Sequence, residues 1–275
     1  MSSGIAGIDH IIIGVRDLEA ARGAWERLGF TVTPRGRHIG QGTANYCVMF
    51  GADYLELLGF VERDEHAHRL ETFLASREGP MSVAFAPEQD ADATAAALSA
   101  HGLHPSEPRA LGRALELPEG TVTPRFSLLN LPPEETPALD CFICGQLTPE
   151  LVRRPDWLRH ANGVVGIGAV HVAADDPAAL APAYATLFGG GRVATTLRGL
   201  EVDSGRNRLI FTRPALSGTD IALPAITALE LRIADRAATE RFLRNAGVAC
   251  MTLPDGRLAV SPGEATGTAL LMAEN

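Results

Sequence analysis

Residues 7–29 read GIDHIIIGVRDLEAARGAWERLG, and this stretch decides the fold. IIIGV is short, apolar and β-branched, which predicts a strand. Asp17 is a good helix N-cap, and Glu19 follows in the first turn, where a negative charge suits the helix dipole. Leu18, Ala21, Trp25 and Leu28 recur at helical spacing, and Gly29 stands where a C′ glycine ends a helix. Three further strands are expected in FTVTP, YCVMF and YLELLGF, so the unit is β-α-β-β-β. His10 opens a strand that is about to enter a core. A buried imidazole there must be hydrogen-bonded or must bind something.

The unit recurs along the chain. Residues 81–103, MSVAFAPEQDADATAAALSAHGL, give a strand, an Asp90 cap, a helix and Gly102. Residues 168–190, GAVHVAADDPAALAPAYATLFGG, give a strand, an Asp176 cap with Pro177 at N1, a helix and Gly189. Residues 226–248, ITALELRIADRAATERFLRNAGV, give a strand, an Asp235 cap, a helix and Gly247. From cap to glycine the four spacings are 12, 12, 13 and 12 residues, which marks an internal repeat. Trailing strands follow the later helices: FSLLNLP and PALDCFICG, then RLIFTRP, then RLAVSP and GTALLMAE. TPELVRRPDWLRHANGVVG, residues 148–166, breaks the pattern with two prolines and an Asn-Gly turn, and it suits a linker. The expected organisation is two modules in residues 1–147, the linker at 148–166, and two modules in 167–275.

Composition narrows the function classes. Hydrophobic residues make up 46% of the chain and charged residues 21%, the balance of an ordinary globular protein. The net charge of −9 and the lack of a basic run argue against nucleic acid as a partner. No apolar run approaches the roughly 20 residues that span a bilayer, so no membrane partner is expected. MSSGIAGIDH has neither a positive region nor a long apolar core, so a signal peptide is not expected and a cytoplasmic protein is. The four cysteines do not form a dense disulfide framework.

Through DHIIIGVRDLEAARGAWERLGF, RHIGQGTANYCVMF, YLELLGF and TPELVRRPDWLRHANG, the chain resembles the vicinal oxygen chelate superfamily in its glyoxalase-like branch. The resemblance implies an α+β fold. Four βαβββ modules would pair into two open cup-shaped mixed sheets, with the helices outside. It also implies a divalent metal in a cup, held from the first and fourth strands of each module. His10 stands seven residues before its cap, where the superfamily's first ligand usually lies, and Glu56 lies on the fourth strand. A carboxylate amid Tyr54, Leu55, Leu57 and Leu58 needs a cation or a donor. Imidazole and carboxylate suit Zn, Mn, Fe or Ni, so one such ion is the expected cofactor. A structural His–Glu hydrogen bond is the alternative. Glu56 is also the expected catalytic group.

The second module offers less. Val83 stands seven residues before Asp90, alignment of LLG with ICG places Phe142 opposite Glu56, and Gln146 stands near where similar sequences carry His. His38 and Asn45, in the Gly-rich connection that also holds Arg35 and Arg37, are candidates for an oxygen-rich substrate. So are Gln146 and His160. Cys141 and Cys144 read as small buried hydrophobes, because no second CxxC completes a zinc site. His66, His68, His101 and His104 are expected in solvent. His171 and Glu230 stand five residues before their caps, two on from Ala169 and Ala228, and are the second-cup candidates. They form either a His–Glu hydrogen bond or a second ligand site.

The first functional expectation is a metal-dependent lyase or isomerase acting on a small carbonyl or enediolate substrate. The alternative is a metal-free small-molecule binding protein of the same fold. An extradiol-type dioxygenase ranks below both, since such enzymes carry two His and one Glu in the second half. A small molecule is the expected partner, and a homodimer the expected assembly.

Overall fold

The computed structural model describes residues 4–62, 68–214 and 221–274. The first unit is β1 (Ile5–Gly14), α1 (Leu18–Arg27), β2 (Gly36–His38), β3 (Thr43–Met49) and β4 (Tyr54–Phe60). A helix that the sequence pattern does not announce, α2 (His68–Ser76), leads to the second unit. That unit is β5 (Gly79–Pro87), α3 (Ala91–Ala100), β6 (Arg109–Leu117), β7 (Gly120–Val122), β8 (Arg125–Asn130) and β9 (Cys141–Gln146). The third unit is β10 (Val164–Ala173), α4 (Ala181–Phe188), β11 (Val193–Thr196), β12 (Gly199–Asp203) and β13 (Arg208–Thr212). The fourth is β14 (Ala225–Ile233), α5 (Arg236–Asn245), β15 (Cys250–Thr252), β16 (Leu258–Val260) and β17 (Ala269–Glu274). No helix among the described residues is long and apolar enough to cross a membrane.

Three of the four caps form as their chemistry requires. Asp17 accepts from the N–H groups of Glu19 and Ala20, Asp90 from Ala93, and Asp235 from Ala238. Asp176 departs from expectation. Pro177 opens a 3-10 turn, α4 starts only at Ala181, and Asp176 makes no cap bond. Its carboxylate lies 3.6 Å from Arg213 instead. Gly29 has φ of +91°, and a Cβ there would meet the Phe242 ring at 2.3 Å, so both backbone and packing require glycine. FTVTP is extended but joins no ladder. Pro34 has no N–H to give, and Thr33 alone bonds across, to the Cys47 carbonyl.

The first sheet has the order β2-β3-β4-β1-β5-β9-β8-β6-β7, and β2 also pairs with β6. That extra pairing curls it into a closed, barrel-like cup. Its register sets Gly36 beside Leu115 and His38 beside Arg113. The second sheet, β11-β12-β13-β10-β14-β17-β16-β15, stays open. Helices lie outside both, and one apolar core runs through both halves, including Ile11, Trp25, Val83, Tyr184 and Leu229.

A buried polar latch joins the halves. Asn207 accepts from the Ile8 N–H at 2.8 Å and donates to the Ile167 carbonyl at 2.7 Å and to Asp53 at 3.1 Å. Asp53 accepts from the Ile167 N–H at 3.1 Å.

The connection between β9 and β10 is also well bonded. Arg153 donates to the carbonyls of Phe50, Gly51 and Ala52. Asn162 donates to the Leu28 carbonyl.

Candidate functional site

Alternation along the strands aims one set of side chains into the first cup. They line a cavity of about 460 Å3. His10 comes from β1, His38 from β2, Thr43 and Asn45 from β3, and Tyr54 and Glu56 from β4. Arg109, Leu111 and Arg113 come from β6, Phe126 and Leu128 from β8, and Phe142 and Cys144 from β9. Polar side chains from β1 to β4 and the two β6 arginines therefore share the cavity with an apolar surface from Leu111, Phe126, Leu128 and Phe142.

A register shift in β1 between Ile8 and His10 brings two adjacent residues, Asp9 and His10, into contact. His10 donates from Nδ1 to the Asp9 carboxylate at 2.7 Å. This bond fixes the imidazole and leaves Nε2 facing Glu56 Oε2 at 3.4 Å. Tyr54 stacks on the His10 ring with centroids 4.4 Å apart, and Phe142 packs edge-on at 5.6 Å. Gln146 donates to Asp9 at 2.8 Å, so it supports His10 at one remove. Its own Oε1 is buried with no partner among the described residues. Arg153 lies 3.7 Å from the other Asp9 oxygen.

Glu56 accepts from Asn45 Nδ2 at 2.6 Å, and His38 Nε2 lies 3.6 Å from the same oxygen. Burial acts to raise its pKa, but the His10 and His38 imidazoles, Asn45 and Arg113 together hold it below the usual value. Glu56 is thus a buried carboxylate kept ionised. Burial pushes the His38 pKa down, against the pull of the neighbouring Glu56 carboxylate. Its Nδ1 meets Thr43 Oγ1 at 2.9 Å, and its Nε2 accepts from Asn45 at 3.4 Å.

The donor set fits a divalent ion at one point. Two lone pairs would face each other between His10 Nε2 and Glu56 Oε2 unless a proton or cation stood there. Two ligands at ~2.0–2.1 Å from a tetrahedral ion lie about 3.3 Å apart, close to the spacing found. A carboxylate on the far imidazole nitrogen is also the usual support for a metal-binding histidine. Asp9, His10 and Cys144 place their ligating atoms within 4.8 Å of one another. Asp9 is already committed to His10 and Gln146, however, and burial pushes the Cys144 thiol well up, so it stays protonated.

The ladders revise the equivalence with the second module. His10 is level with Tyr54, and Ala84 with Phe142. Phe142 is therefore the counterpart of Tyr54, and Cys144, two residues on, that of Glu56. Ala84, not Val83, shares the inner face; Val83 packs in the outer core.

The structure places His160 away from the cavity. Its Nδ1 accepts from the Thr31 N–H at 3.0 Å, and its Nε2 donates to the Met49 carbonyl at 3.0 Å. Phe30 and Phe50 pack edge-on against it. It is a staple between the first unit and the connection, and burial pushes its pKa down. His171 and Glu230 meet in the second cup at 3.6 Å. Arg257 at 2.8 Å and Arg208 at 3.2 Å occupy the two Glu230 oxygens. His171 and Arg257 hold that carboxyl down to about 2, so the second-cup carboxylate is paired with two guanidinium groups. His68 and His104 are exposed and His101 is half-buried, while His66 lies outside the described residues.

Asp9, Tyr54, Arg113 and Cys144 are site residues that sequence reasoning missed. The adjacent Asp–His pair just before the isoleucine run of β1 was a signal for the first. The alternation of Arg109, Leu111 and Arg113 in RALGR was a signal for the third.

A family model described as "Glyoxalase-like domain" matches residues 8–188. Among curated proteins no match was found. The fold resembles that of a hypothetical protein from Staphylococcus aureus, with a TM-score of 0.68 at 12% identity, over 98% of this chain and 99% of that one. A mutant 4-hydroxymandelate synthase from Streptomyces coelicolor gives a TM-score of 0.60 at 11% identity, over 99% of this chain and 92% of that one. A xylose isomerase-like TIM barrel/4-hydroxyphenylpyruvate dioxygenase fusion protein gives 0.56 at 14% identity; the match covers 99% of this chain and 49% of that protein. At these identities the likeness is one of fold.

Proposed function

The chain belongs to the glyoxalase-like domain family, and from that premise we propose that its first cup is a metal-assisted lyase or isomerase site for a small carbonyl or enediolate compound. The observation that carries this reading is His10 Nε2 facing Glu56 Oε2 at 3.4 Å, with Nδ1 tied to Asp9. His10 and Glu56 would hold the ion. When bound, it supplies Lewis-acid polarisation of a substrate oxygen.

The chain's own residues do the rest. Phe126, Leu128 and Phe142 take the apolar part of the substrate and exclude water from the reacting end. Asn45 holds Glu56 Oε1, which leaves Oε2 on the side of His10. Glu56, being ionised, would take the proton from the carbon beside the substrate carbonyl on the remaining lone pair of Oε1 and return it to the adjacent carbon, while the hydroxyl proton passes between the two enediolate oxygens, which is the isomerase reaction. Asp9 and Gln146 keep the imidazole in place throughout.

The test is a titration of the untagged full-length chain with Zn, Mn, Fe(II) or Ni, read by melting temperature and by bound-metal analysis. Saturable stabilisation that His10→Ala abolishes and Glu56→Gln weakens is expected. His171→Ala should leave it intact. The absence of any shift or bound metal at neutral pH would refute the metal reading.

A second reading, a metal-free binding protein, is favoured by one observation: Ala84 and a protonated Cys144 stand where the second module would supply ligands. An extradiol-type dioxygenase would place its ion in the second half, where two guanidinium groups, Arg208 and Arg257, compete with a cation for Glu230.

A further inference from the structure

Arg113 is a buried cation that feels the Glu56 carboxylate through space but makes no direct ion pair among the described residues. It is 3% exposed. Its Nη1 donates to Asn45 Oδ1 at 3.2 Å and to Cys47 Sγ at 2.9 Å. Cys47 is a neutral thiol, pushed up to about 11 by burial. The Arg113 Nε is buried with no partner among the described residues, and no described carboxylate lies within ion-pair distance of the guanidinium. A buried, unpaired charge is costly, and a buried polar atom without a partner calls for an explanation.

The fold makes room for this group. A Cβ on Gly36 would stand 2.5 Å from Arg113 Cδ, so the glycine lets the arginine stem lie across β2. The guanidinium lines the first cup, 5.7 Å from the centre of the Phe126 ring. Arg109 lines the same cavity, four residues earlier on the same face of β6, and is exposed. One arginine is thus outside and one inside along a single wall.

We propose that Arg113 is the anion-recognising residue of the first cup, and that the substrate carries a carboxylate beside its apolar body. This rests on the first cup being a small-molecule site, but not on a bound metal. A guanidinium fork matches a carboxylate geometrically, and the match is strong where water is excluded. Arg109 at the outer end draws the anion inward. The neighbouring apolar wall selects an acid with an aliphatic or aryl body over a small hydrophilic acid.

The probes are phenylacetate and hexanoate against their neutral amides, phenylacetamide and hexanamide. Binding to the full-length chain is measured by calorimetry in the presence of a chelator, so failure of the metal reading leaves the result untouched. The acids should bind about 10–100-fold more tightly than the amides. Arg113→Met should bring acid and amide within twofold of each other, and Arg113→Lys should keep part of the preference. Circular dichroism checks that the variants fold. A second measurement needs no variant: the Arg113 Nε–H resonance of the unmutated protein should shift with acid and not with amide. Equal binding of acid and amide, a preference that survives Arg113→Met, no saturable binding of either acid, or an unmoved Nε–H resonance each overturns the proposal.

Discussion

Replacing Gly36 by Ala tests the closure of the first cup and the seat of Arg113 together. The added methyl would stand 2.5 Å from Arg113 Cδ, 2.5 Å from Asn45 Oδ1 and 2.9 Å from Arg113 Cγ. These are the middle of a buried chain and an amide held at both ends, so neither can swing aside cheaply. The variant either keeps the geometry under strain, about 1–3 kcal/mol for overpacking, or displaces Arg113. Displacement loses bonds to Asn45 and Cys47 and leaves a buried charge with fewer donors satisfied, roughly another 1–3 kcal/mol. The expected loss is about 2–4 kcal/mol, or roughly 5–15 °C in melting temperature for a chain of this size. Urea unfolding followed by the fluorescence of the buried Trp25 measures it. Gly23→Ala is the control. That glycine is exposed within α1, and a Cβ added there would meet nothing within 4 Å, so alanine should add about 0.5–1 kcal/mol. A Gly36→Ala protein within 0.5 kcal/mol of the unmutated one, beside a stabilised Gly23→Ala, would refute the steric reasoning (the margin is about that of an ordinary surface change).

Three further outcomes are expected. Asn207→Ala should cost about 3–5 kcal/mol in urea unfolding, because it strips partners from the Ile8 N–H, the Ile167 carbonyl and buried Asp53 at once; a loss below about 1 kcal/mol would show the latch to be dispensable. Glu230 is held at about 2, so its contribution is present above the ordinary carboxylate value of 4.5 and is lost as pH falls toward 2. Discounted for partial solvent screening, that is about 1–2 kcal/mol, and Glu230→Gln should flatten the acid limb of a stability–pH curve by that amount. The pKa of His160 is lowered by burial, so the unfolded chain takes up its proton first. Stability should fall as pH drops below 6.5, and His160→Asn should remove that part of the slope; an unchanged slope would count against the buried, neutral imidazole.

The sequence determined the repeat and its class. Caps, helical spacing and C′ glycines are local signals, because an Asp17 side chain reaches only the N–H groups of its own first turn. Those signals carried the repeated strand–helix units, and the resemblance carried by the longer motifs implied the α+β cups with helices outside. They also brought His10, Glu56, His38 and Asn45 forward as candidates, because polar residues in or beside apolar strands are conspicuous. The exceptions follow the same logic: Asp176 has the residue type of a cap, but Pro177 and the pairing with Arg213 redirect it. Tertiary structure alone decided the rest. The pairing of β2 with β6 joins segments far apart in the chain, and only it sets His38 beside Arg113. The β1–β5 and β5–β9 ladders set Ala84, not Val83, beside His10 and make Phe142 the counterpart of Tyr54 and Cys144 that of Glu56. His160 has the residue type of a ligand and the surroundings of a staple. Strand register and ring closure depend on the summed fit of whole sheets, whereas a cap depends on one turn of chain, and that difference in range separates what could be read from the residues from what had to be folded to be seen.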